Sequence, residues 1–294
     1  MPEATLSIAA SAIGPRVDLP EALRRAFDPR HDFEPMPAPG LHDWLSNHPE
    51  SGQTYEQFVH SRPDRPEARR NQLYLQPLGD FSGLDCPPLD RLREFAAAFF
   101  KLKVNVLPQL DLAQSEIVRR HHPSTGGLQL QTTSILKLLR RRLPNDGFAL
   151  LGITMFDLYP DPAWNFVFGQ ADVRHRVGIY SFARYDPRSY GQRPQIDSRK
   201  LMLRRSCKVL AHEIGHMFGI NHCVWYRCLM NGSNHLGEAD ARPLHLCPVD
   251  LRKLQCSIGF DVVERYRCLE KFAEQAGFED EVRWLADRLR FIAV

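Results

Sequence analysis

No stretch of this 294-residue chain approaches the run of about 20 apolar residues that a membrane-spanning helix needs, so no membrane partner is expected. Charge of one sign is also scarce. The 38 Lys and Arg nearly balance 35 Asp and Glu, and the formal +3 points to no polyanionic partner. The basic clusters Arg140 to Arg142 and Arg204 with Arg205 fall short of the broad surface that nucleic-acid binding requires. The opening MPEATLSIAASAIGPR lacks basic residues ahead of its mildly apolar centre, so a secretory signal is not predicted. Internal repeats are missing too. The seven cysteines, an odd number, lack the dense even spacing of a secreted disulfide scaffold. Four crowd between Cys223 and Cys256, which in an intracellular chain points to metal before disulfide. The expectation is a soluble globular protein of the cytoplasm, with the nucleus as a further location.

With 43% hydrophobic and 25% charged residues, the chain has material for one large domain or two ordinary ones. Residues 1–70 are rich in Pro, Asp, Arg and Glu and read as a helical or partly ordered extension, with Leu41, Trp44, Leu45, Tyr55 and Phe58 as apolar anchors. Residues 71–222 read as an α/β catalytic subdomain. LYLQPLG predicts a strand, PLDRLREFAAAFFK an amphipathic helix and KVNVLPQL a second strand. LQLQTTSILKLLRRRLP reads as a helix stopped by Pro144, and FALLGITMFDLY as one strand buried on both faces. WNFVFGQA and VGIYSFARY predict two more strands. Residues 223–294 read as a Cys-rich C-terminal subdomain ending in helical patterns over 249–275 and 279–292.

The stretch HEIGHMFGINHC carries the chemistry. Residues four apart on a helix share a face, so His212 and His216 present their imidazoles to a common point, while Leu210, Ile214, Met217 and Phe218 form an apolar back. Cys207 falls with that back and reads as a core cysteine. Gly219 is the natural place to end the helix and swing His222 round. Three imidazoles would leave the fourth tetrahedral position of a zinc ion open for water, as in catalytic sites. Glu213, beside the first histidine, is positioned as general base without binding the metal. The spacing H-E-x-x-H-x-x-G-x-x-H is met throughout, with Met230 following.

At these residues the chain resembles the metzincin zinc peptidases, and among them the archaemetzincin family, through HEIGHMFGINHC, VWYRC, LM and LCP. The likeness runs from about residue 73 to 266, and DWLSNHPES resembles the longer, animal type of member. The resemblance implies a metzincin-like α/β fold with a mixed, mostly parallel twisted sheet, an active-site helix and the small Cys-rich C-terminal part. It implies an aminopeptidase-like metallopeptidase of short peptides with two zinc ions per chain. One would be held by His212, His216 and His222 over a turn containing Met230. A structural one would be held by Cys223, Cys228, Cys247 and a cysteine three residues later. There this sequence departs, because CPVD puts Asp250 at the last position. Aspartate ligates zinc at a slightly shorter bond than sulfur. The alternatives are an incomplete site or recruitment of Cys256, with His245 also nearby.

The implied mechanism is attack of zinc-bound water on a peptide carbonyl, Glu213 taking the proton and passing it to the leaving amine. Tyr226, Asn234 and His235 are candidates for a second oxyanion donor, though local capping suits each. Glu238 and Asp240 are the acidic candidates for holding a substrate amino terminus. WNFVFGQA would be the edge strand receiving an extended peptide. Cys86, in LDCPPLD, is the lone upstream candidate for a blocking thiol. A competing function is a zinc-stapled peptide-binding scaffold with little turnover, against which the intact Glu213 argues.

Overall fold

The computed structural model describes residues 8–30, 32–83, 86–185 and 198–293, and the opening MPEATLS lies outside them. The chain forms two compact units. One gathers Met1–Arg65, Ala98–Lys101 and Phe218–Val294, and the other Pro66–Ala97 and Leu102–Met217. The N-terminal and C-terminal stretches, separate in the sequence reading, thus belong to one unit.

The Pro66–Met217 unit is built on strands β1 (Gln72–Leu78), β2 (Lys103–Val106), β3 (Arg119–His121), β4 (Leu128–Gln131), β5 (Gly147–Thr154), β6 (Asp157–Tyr159), β7 (Gly169–Asp172) and β8 (Val177–Ser181). Five form a mixed sheet in the order β2-β1-β5-β8-β7. All its pairs are parallel except β7 with β8. Every residue of β5 is buried, as its unbroken apolar run demands for a central strand. A second sheet has the order β3-β4-β6, and its Leu130 and Leu158 join Leu78, Ile135, Leu139, Leu150 and Ile179 in one buried cluster. The helix Ser198–Met217 packs on β5, β7 and β8.

Three readings are corrected. LQLQTTSILKLLRRRLP is not one helix. Gln129 and Leu130 are fully buried in β4, and the Gln129 amide donates to the Asp157 carboxylate at 2.7 Å and to the Asn165 carbonyl at 2.8 Å. The helix runs only over Thr132–Arg142, and Leu143 is extended because the residue before a proline is pushed out of the α region. FALLGITMFDLY is two strands in two sheets. The Thr154 hydroxyl donates to the Leu78 carbonyl at 2.9 Å and accepts from the Phe156 N–H at 3.2 Å, turning the chain off β5. Of WNFVFGQA, the strand proper keeps the last three residues, while Val167 bridges Leu158 and Trp164 is exposed.

In the other unit, the pattern over 249–275 resolves into helices Pro248–Ile258 and Val262–Ala276. Gly259 ends the first at φ +80°, and Asp261 caps the second through the Glu264 N–H at 2.8 Å. The last helix, Glu279–Ala293, packs on Val262–Ala276 and on the N-terminal Glu21–Ala26. Arg288, fully buried, donates to the carbonyls of Arg25, Ala26 and Asp28 at 2.7, 2.9 and 2.9 Å and pairs with Asp32 at 3.0 Å. Helix Tyr55–His60 opens on a Thr54/Gln57 capping box and packs on Pro248–Ile258. Of the N-terminal anchors, Phe58 is completely buried, whereas Leu41 stands in solvent. Among the described residues no helix is long and apolar enough to cross a membrane.

Candidate metal centre

Within the helix Ser198–Met217, Leu210, Ile214 and Met217 are buried, as the sequence pattern predicts. Cys207 is buried with them and burial pushes its thiol far up, which fits a core residue rather than a ligand. His212 and His216, one turn apart, bring their Nε2 atoms to 3.1 Å with the rings at 85°. Beyond Phe218 the chain reverses at Gly219, at φ +78°, where a Cβ would come within 2.9 Å of the Pro63 ring. His222 follows, and the ligand atoms of all three histidines lie within 4.8 Å of one another. Nitrogens bound to one tetrahedral zinc at about 2.0–2.1 Å stand about 3.3 Å apart, so this donor set fits the ion with small adjustments and leaves a fourth position for substrate or water. Glu213 is half-buried beside His212.

The second group is denser. Cys223, Cys228, Cys247 and Asp250 are fully buried or nearly so, and their ligand atoms also lie within 4.8 Å. The Sγ atoms of Cys223 and Cys247 are 3.5 Å apart, too far for a disulfide, and the Asp250 Oδ2 sits 3.3 Å from Cys228 Sγ and 3.6 Å from Cys247 Sγ. A tetrahedral zinc with sulfur at about 2.3 Å and oxygen at about 2.0 Å spaces its ligands about 3.8 Å for two sulfurs and about 3.5 Å for sulfur and oxygen. The observed edges match closely enough for Asp250 to fill the fourth corner. Electrostatics agree. Burial raises Cys228 and Cys247, whereas for Cys223 burial is outweighed by hydrogen bonds from those two thiols and from the backbone of Tyr226 and Trp225, which lower it. One thiolate is thereby already favoured. Burial pushes Asp250 up to about 6, against the pull of the Lys253 ammonium.

The alternatives fall elsewhere. Cys256 receives contacts from the Tyr55 hydroxyl at 3.5 Å and Arg65 at 3.3 Å, outside the group. His245 stacks on Trp284 at 3.5 Å and bonds Glu281 at 3.1 Å. Met230 is fully buried, its carbonyl accepting the Cys223 N–H at 2.9 Å and its own N–H reaching Cys228 Sγ at 3.4 Å. Tyr226 is buried, His235 caps helix Leu236–Ala241 through the Glu238 N–H, and the Asn234 amide bonds the His42 carbonyl. Glu238 accepts the backbone N–H groups of Trp44 and Asn234, and Asp240, the other acidic candidate, is half-buried in the same helix. Cys86 lies 4.0 Å from the Asp80 carbonyl. A third convergence, Asp43 with His235 and Glu238, is consumed by these caps and by the Gly40 N–H, which holds the Asp43 carboxyl below its usual range.

Sequence reasoning missed Glu50, whose carboxylate lies 2.9 Å from His222 Nδ1, and Lys253, whose ammonium reaches Asp250 Oδ1 at 2.8 Å. Lys253 was legible as a helical i,i+3 neighbour of Asp250, whereas Glu50 is 172 residues from its partner.

Residues 130–256, spanning both groups, match the model of peptidase family M54. Archaemetzincin-2 of Rattus norvegicus is 41% identical over 282 residues, covering 86% of this chain and 78% of the relative. The chain belongs to the archaemetzincin family. The Pongo abelii archaemetzincin-2 is 40% identical over 294 residues, covering 90% of this chain and 78% of the relative. A solved archaemetzincin from Methanopyrus kandleri is 30% identical over 65% of this chain and 97% of its own, with a TM-score of 0.48. Archaemetzincins are zinc metallopeptidases, and this archaemetzincin is one by family.

Proposed function

We propose that this archaemetzincin hydrolyses short peptides in an aminopeptidase-like manner at a zinc centre held by His212, His216 and His222. The convergence of three imidazole nitrogens beside a half-buried carboxylate carries this reading. Zinc at that centre supplies a Lewis acid that polarises the scissile carbonyl and lowers the pKa of water. Glu213 takes a proton from the attacking water and delivers it to the departing amine. Strand β7 ends the five-stranded sheet and is half-buried throughout, which suits addition of an extended peptide as a further strand. Cys223, Cys228, Cys247 and Asp250 would hold a second zinc, tying down the chain immediately after the third histidine and giving two per chain.

Metal analysis and digestion of a mixed peptide library, for the parent and Glu213→Gln side by side, test the reading. Two zinc ions per chain in both proteins, with cleavage falling about 10²- to 10⁴-fold in the variant, is the expected result. Zinc without cleavage in the parent makes the protein a peptide-binding scaffold instead.

A further inference from the structure

A segment far upstream reaches the third histidine. Residues 40–50 are knotted by their own hydrogen bonds. The Gly40 N–H donates to Asp43 at 2.7 Å, the Ser46 hydroxyl to the Gly40 carbonyl at 2.7 Å, and the Asn47 amide to the Asp43 carbonyl at 2.9 Å. The knot is fastened to the chain after Met230: Glu238 accepts the Trp44 N–H at 2.9 Å, and a Cβ on Gly232 would collide with the Trp44 ring. Gln53, buried, bonds the Gly219 carbonyl at 3.2 Å and the Asn221 N–H at 3.3 Å, gripping the turn that delivers His222. Gly52, at φ +73°, lets the same segment pass close to Val224 and Trp225.

At the centre of this arrangement stands Glu50. Its Oε1 receives both His222 Nδ1 and Trp44 Nε1 at 2.9 Å, while the Trp44 ring stands edge-on to the His222 ring at 5.1 Å. A carboxylate only accepts, so in the neutral imidazole the hydrogen sits on Nδ1 and the Nε2 lone pair is left for a metal. Histidine ligands of zinc characteristically give their other nitrogen to a carboxylate in this way, which fixes the tautomer and raises ligand basicity. The His222 side chain is 19% exposed and that of Glu50 29%.

We infer that Glu50 is a positioning residue for the metal centre: residues 44–53 form a strap that sets the tautomer and ring orientation of His222. The inference rests on the proposed role of His222 as a ligand. Nothing in the metal-binding motif itself supplies this carboxylate. It belongs to the N-terminal extension, which thereby becomes part of the centre.

The test is zinc affinity at the histidine site, measured by chelator competition in full-length parent, His222→Ala, Glu50→Ala and Glu50→Gln, with zinc at the cysteine group and the denaturation midpoint followed in parallel. Glu50→Ala is expected to bind zinc about 10- to 100-fold more weakly. Glu50→Gln, whose amide oxygen still accepts from Nδ1, recovers most of that loss, and the cysteine-group zinc stays in place in both. Parent affinity in Glu50→Ala, with affinity lost in His222→Ala, overturns the strap and leaves the centre standing. Unchanged affinity in His222→Ala overturns the centre and the strap with it. Equal loss in both Glu50 variants accompanied by loss of the cysteine-group zinc marks general unfolding, and that too overturns the inference.

Discussion

Replacing Asp250 by asparagine separates two duties that one carboxylate combines. Its Oδ1 accepts from the Lys253 ammonium at 2.8 Å, and its Oδ2 faces two thiols at 3.3 and 3.6 Å, with both side chains at most 1% exposed. Neutralising one member of a buried ion pair strands the other, at a cost of about 3–5 kcal/mol. That is a large part of the roughly 5–15 kcal/mol that holds a typical domain together. If the carboxylate did nothing else, adding Lys253→Met would recover most of the loss, since replacing both partners of a buried pair is often neutral. With Oδ2 on zinc, recovery occurs in chelator but not in zinc, where each tenfold weakening of the metal costs about 1.4 kcal/mol of linked stability. Urea unfolding of the two single variants and the double, with and without chelator, together with zinc counts per chain, reads both effects. An Asp250→Asn protein within about 1 kcal/mol of the parent in chelator and carrying the same zinc would refute this reasoning.

Acidity should act on the same carboxylate in opposite senses with and without metal. Burial raises the Asp250 pKa from 3.8 to about 6, so in chelator the folded state holds a proton that the unfolded chain has released, and stability falls as pH rises from about 4 through 6. With zinc present, protons compete with the metal, and zinc at the cysteine group is instead lost as pH falls through that range, as metal counts on dialysed protein will show. In the sheet, Gly169→Ala places a Cβ 2.8 Å from the Ile179 carbonyl, a backbone atom that cannot step aside, so about 1–3 kcal/mol of destabilisation is expected. Gly178→Ala meets the terminal methyl of Met217 at 2.6 Å, which can rotate away, and a urea midpoint as low as that of Gly169→Ala would contradict the assignment.

Much of the centre was readable because its logic is local. His212, Glu213 and His216 depend only on helical repeat, and Gly219 on its tolerance of positive φ, so four or five residues of spacing carry the whole argument. The family register placed Asp250 with the cysteines without saying whether an aspartate would point at them. The fold was read less evenly, since apolar runs do not record which sheet they join. FALLGITMFDLY is uniformly apolar, yet a single threonine hydroxyl bonded to Leu78 and Phe156 divides it between two sheets. LQLQ carries the same residues a helix would take, and only its pairing with β3 and β6 makes it a strand. The strap around Glu50 leaves no periodic trace, because its partners lie some 170 residues downstream.

The buried Arg288 has a consequence for how the molecule is born. It serves the carbonyls of residues 25, 26 and 28 from helix Glu279–Ala293, so that stretch waits for residues some 260 positions downstream before its backbone is satisfied. Translation proceeds at about 5–20 residues per second, so the interval from Asp28 to Arg288 lasts on the order of 10–50 seconds. For that time water alone can serve these carbonyls. A stretch made early is thus settled late, and its folding is timed by helix Glu279–Ala293.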